Sequence, residues 1–149
     1  MPDSSPPTPI ASTPPGAPDV PFTRLYQSAA SAFAEPVELV VRSSVDWRRA
    51  WISAHPNRAA ALPDAPDVNF ATDLVLLVSA GTQPTGGISV RIDTVRARAD
   101  GGADVLYTVT RPGPGCMSIQ QVTAPVDVVR IARRGGAISF VRRAAPSGC

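Results

Sequence analysis

Asp73-Leu74-Val75-Leu76-Leu77-Val78-Ser79-Ala80-Gly81-Thr82-Gln83-Pro84-Thr85-Gly86-Gly87-Ile88-Ser89-Val90-Arg91-Ile92 is the stretch on which the fold turns. Residues 74–78 are apolar without alternation. A strand with one wet face would alternate, so this one is expected to be covered on both faces. Ile88, Val90 and Ile92 then alternate with Ser89, Arg91 and Asp93, which marks a half-buried strand. Between them, Gly81, Gly86 and Gly87 allow positive φ and a sharp return of the chain. The loop is not a phosphate cradle of the usual kinds. It lacks the P-loop lysine and the GxGxxG spacing, and it runs into a strand rather than a helix. A structural turn is the primary reading. Contact with a partner through Thr82, Gln83, Pro84, Thr85, Gly86 and Gly87 is the second.

Toward the C-terminus the alternation changes phase near Thr94, as a β-bulge would cause. Asp100-Gly101-Gly102 is a turn signal, and Val105–Thr110 reads as a strand. Arg111-Pro112-Gly113-Pro114-Gly115-Cys116 breaks regular structure. Val122–Ile131 and Ala137–Val141 read as the last strands, joined across Arg133-Arg134-Gly135-Gly136. Toward the N-terminus, Ser43-Ser44 offers a helix N-cap with Asp46 in the first turn. The helix 45–54 sets Trp47 and Trp51 on one face for core packing. Pro36 opens the strand Val37–Val41, and Phe22–Tyr26 fits a helical face or a short strand. One substantial helix and five to six strands joined by short turns predict an α+β fold. The expected arrangement is one main helix packed on a mostly antiparallel sheet, twisted or partly barrelled. Residues 1–21 hold Pro2, Pro6, Pro7, Pro9, Pro14, Pro15, Pro18 and Pro21. They read as a disordered proline-rich spacer ahead of one domain at 22–149.

The chemistry open to the chain is narrow. All 14 basic residues are arginine, so Schiff-base chemistry and a lysine general base are excluded. His55 is the only histidine, and its place at the helix end has a structural reason in the exposed carbonyls. Two cysteines and one histidine lack metal-ligand spacing, so neither metal nor cofactor is expected. No paired carboxylates stand out, and no catalytic residue is assigned; the chain is expected not to be an enzyme. A net charge of +2 is too small to point to nucleic acid, although Arg111, Arg130, Arg133, Arg134, Arg142 and Arg143 gather in the last 39 residues against Asp127 alone. No apolar run reaches the length of about 18 residues that spans a membrane. The start Met1-Pro2-Asp3-Ser4 shows neither a leader nor a lipid-anchor cysteine.

Cys116 and Cys149 are the only cysteines. A disulfide between them would staple the end of the chain beside the Pro-Gly loop, adding roughly 3–4 kcal/mol by chain entropy. Such a bond places the domain in an oxidising compartment. Two free thiols are the alternative.

Asp46-Trp47, Asp67-Val68-Asn69-Phe70, the apolar strand 74–80 and Gly81–Ile92 occur in a recognisable order. Pro112-Gly113-Pro114-Gly115-Cys116 and Thr123-Ala124-Pro125-Val126-Asp127-Val128-Val129 complete it. Over about residues 20–149 this resembles the C-terminal domain of the protease-complex subunit PrcB family. Asn69 and Ile88 depart from the residues usual there. The resemblance implies an envelope-associated or secreted domain whose namesake is an accessory component of a surface protease complex and not its peptidase. The expected function is therefore a non-enzymatic, extracytoplasmic interaction domain that binds or stabilises a protein partner, with a secreted protease complex as the candidate. The alternative is a small-molecule or glycan binding domain of the cell envelope.

Overall fold

A computed structural model of the chain describes residues 19–56 and 62–147. The expected spacer lies outside the described residues except at its end. There Asp19 pairs with Arg96, and the buried Val20 donates its N–H to Val95 O at 2.6 Å.

The elements are β1 (Phe22–Ser28), β2 (Val37–Val41), α1 (Ser44–Ser53), β3 (Asp73–Ser79), β4 (Ser89–Ala97), β5 (Ala103–Pro112), β6 (Val126–Ala132) and β7 (Ile138–Ser147). The expectation of one helix packed on a single sheet of five to six strands is overturned. Among the described residues the chain is mostly β, and seven strands form two sheets, ordered β1-β6-β3-β2 and β4-β5-β7. The helix covers only the outer face of the four-stranded sheet. The reason lies in β3, which is covered on both faces as its sequence demands, but by different things. Leu74, Leu76 and Val78 point into the core between the sheets, where they meet Val90, Ile92, Val105 and Val109. Val75 and Leu77 point the other way, toward Trp47, Ala50 and Trp51 of α1. The second sheet therefore does the work that a one-sheet fold would give to its helix.

Alpha1 starts where Ser43 accepts the Asp46 N–H on its hydroxyl at 3.2 Å. The pairings are antiparallel except β5 with β7. That exception follows from the turn after β6, which carries the chain into the other sheet instead of closing a hairpin. The crossing is tight. A Cβ on Gly102 would lie 2.1 Å from Ala137 O, so only glycine fits there.

The register of β4 on β5 slips between Ile92 and Thr94, where the alternation changes phase. The irregular strand is held from the other sheet. Asp127 of β6, fully buried, takes both Nε and Nη2 of Arg24 at 2.8 and 2.9 Å. Asp127 Oδ2 also accepts the Ile92 N–H at 2.7 Å, and Arg24 Nη2 donates to Ile92 O at 2.8 Å. Gln27 donates to Val90 O at 3.0 Å. The edges of β1 and β4 are thus joined by side chains rather than by a ladder.

Candidate partner-contact surface

The Gly81–Gly87 loop is built from its backbone. Gly81 adopts φ 75°, and a Cβ there would meet the backbone of Glu35 and Pro36 at 2.6 and 2.7 Å. Its N–H donates to Ser79 Oγ, which in turn donates to Pro125 O. Thr82 N–H donates to Ala34 O at 3.1 Å and its hydroxyl to Phe33 O at 3.3 Å. Gln83 and Thr123 exchange both backbone bonds, at 2.7 and 3.0 Å. The Gln83 side chain donates to Ala80 O and accepts from Arg111 Nη1, each at 3.0 Å. Thr123 Oγ1 donates to Thr85 O at 2.9 Å, and Gly86 N–H to Ile119 O at 2.8 Å.

The six loop residues singled out in the sequence therefore divide. Gln83 and Gly86 are buried, Thr85 is half-buried, and Thr82, Pro84 and Gly87 face solvent. The loop is a platform, and what it carries is the segment between β5 and β6. That segment exposes Met117 (98%), Val122 (69%) and Ile119 (68%), the three most exposed large hydrophobic side chains among the described residues. Sequence reading passed over Met117 and Ile119, and it set Val122 at the start of a strand that begins only at Val126. Apolar residues in an irregular stretch give no periodic signal, and the bonds from the glycine loop reach this segment only at the Ile119 carbonyl and at Thr123.

The other candidates fall elsewhere. Cys116 sits at the start of the same segment, but Cys149 lies outside the described residues, and so does the proposed pairing. His55 is buried, with its ring stacked 4.5 Å from Tyr26 and its Nδ1 2.8 Å from Trp51 O. The helix-end carbonyl contact expected for it is present, inside an aromatic cluster. Five of the six C-terminal arginines are engaged within the fold, Arg130 lying 3.9 Å from Asp73. Arg111 binds Gln83, Arg133 donates to Phe70 O, Arg134 donates to Gly102 O, and Arg143 lies 3.5 Å from Asp93. No group of three metal-ligating side chains comes together among the described residues. No helix among them is long and apolar enough to cross a membrane.

These features define a small two-sheet β domain that presents an apolar loop surface at one end. Residues 74–132 match the family model of the PrcB C-terminal domain, and over that stretch the resemblance is borne out. The matched stretch runs from β3 to the end of β6. It contains the glycine loop, the bulge, the exposed segment and Asp127. Searches of curated proteins and of solved structures found no match.

Proposed function

We propose that the chain is a non-enzymatic accessory domain that acts outside the cytoplasm by docking a protein partner, with a secreted protease complex as that partner. The observation that carries this reading is a coincidence of place. The stretch that matches the PrcB C-terminal family also carries the three most exposed large hydrophobic side chains among the described residues, in a segment bonded to the glycine loop at Ile119 and Thr123. Exposed apolar groups gathered beside a hydrogen-bonded support suit a protein contact, because their burial gains free energy. The matching experiment is affinity capture from envelope extract with the wild-type chain and with Met117→Ser/Ile119→Ser. The wild type is expected to capture a fraction with peptidase activity, and the variant at least about tenfold less, as loss of a binding hot spot gives. Equal capture by a variant of unchanged circular dichroism contradicts the reading.

The same proposal includes a Cys116–Cys149 disulfide, which fits a domain in an oxidising compartment. Mass spectrometry of natively expressed, alkylated, non-reduced protein is expected to find no labelled thiol. Two labelled cysteines would remove the disulfide and the compartment argument with it.

A further inference from the structure

Pro15-Gly16-Ala17-Pro18-Asp19-Val20-Pro21-Phe22 is repeated, with two changes, as Pro63-Asp64-Ala65-Pro66-Asp67-Val68-Asn69-Phe70. Both copies lead into strands that flank β6. Equal packing does not explain the repeat. Val20 and Phe22 pack into the core between the sheets, whereas Val68 and Phe70 pack on the helix side.

What the second copy does is visible. Trp47 Nε1–H donates to Pro66 O at 3.0 Å, and Trp51 Nε1–H donates to Pro63 O at 2.7 Å. The donors stand one helical turn apart. The accepting carbonyls are three residues apart, the repeat of a polyproline II helix. An aromatic face that grips a proline-restricted backbone is the chemistry by which proline-rich peptides are bound. Beside the strap runs a groove of about 500 Å³, with Arg48 and Ile52 on its helix side and Asp64 and Asp67 opposite.

We infer that the Trp47–Trp51 face is a site for a Pro-x-Ala-Pro segment, filled by Pro63–Pro66 of its own chain, and that Pro15–Pro18 of a second copy is its alternative occupant. A second copy is assigned as the source because of where Asp19 and Val20 are held. Asp19 and Val20 are fixed on β4, in the sheet farther from α1. Packed sheets are about 10 Å apart, with the helix layer beyond, and one residue of chain spans at most about 3.6 Å. Exchange in trans demands no such stretch, and it replaces one Pro-x-Ala-Pro strap with another.

The chain has only two tryptophans, both in this site, so two indole N–H signals in nitrogen-15 NMR report on it directly. For the full chain, raising the concentration from about 10 μM to about 1 mM, the range of a weak self-association, is expected to move both signals together as sedimentation shows dimer. Pro15→Ser/Pro18→Ser is expected to abolish both changes. Pro63→Ser/Pro66→Ser, which weakens the internal competitor, is expected to tighten the dimer by at least about tenfold, or 1.4 kcal/mol. Indole signals independent of concentration overturn the inference, and so does a dimer that survives Pro15→Ser/Pro18→Ser.

Discussion

Asp127 is the buried acid that ties β1 and the bulge of β4 to β6. It has no access to solvent, yet it holds three hydrogen bonds, two from Arg24 and one from the backbone of Ile92. Removing it leaves the partly buried Arg24 guanidinium without its carboxylate and the bulge N–H without an acceptor. Breaking a buried pair from one side costs about 3–5 kcal/mol. Asp127→Ala is therefore expected to lower the melting temperature by about 10 °C or more, measured by circular dichroism. A fall of less than about 3 °C would show that the clip is dispensable. The bulge itself was legible, because the phase of apolar residues changes around Thr94. Its support was not. Arg24 and Asp127 lie 103 positions apart, and an arginine in a strand gives no sign of which acid it will meet.

At the scale of elements, β3 shows both the reach of sequence reading and its limit. Unbroken apolar character told that Leu74 to Val78 were covered on both faces. It did not tell what covered them, because burial reads the same beneath a helix or beneath a second sheet. β7 was foreseen as a strand, but its parallel place beside β5 depends on the chain changing sheets after β6. The sheets are also joined at Tyr107 of β5, whose hydroxyl donates to Glu38 of β2 at 2.5 Å. Burial raises the Tyr107 pKa well above its ordinary value, and the Glu38 carboxylate adds to that. The unfolded chain loses this proton near pH 10, the folded chain only at higher pH. The stability so contributed is complete below about pH 10 and is lost as pH rises through the folded value. The chain has no lysine to titrate in that range. Urea denaturation is expected to show stability falling from about pH 10 to 11.5, and less steeply in Tyr107→Phe. Equal slopes would mean that the phenol is not held as described.

At the scale of the whole molecule, the glycine loop joins the pieces. It was legible as a turn between a doubly covered strand and a half-exposed one. Its use of Gln83 and Gly86 to hold residues 119 and 123 was not, since those bonds tie together chain segments more than 30 positions apart. The consequence is a division of labour. The two cores and the Asp127 clip fix the sandwich, the glycine loop fixes the segment after β5, and that segment carries the exposed apolar groups. The proposed docking end of the molecule is the one formed by the glycine loop and the segment after β5. The most direct measurement places a photo-crosslinking residue at position 117 and, as a control, at position 45, where Val45 is also well exposed (64%) but lies on α1. A specific adduct with the captured partner is expected from position 117 and none from position 45. Equal adducts from both positions, or an adduct from position 45 alone, would contradict it.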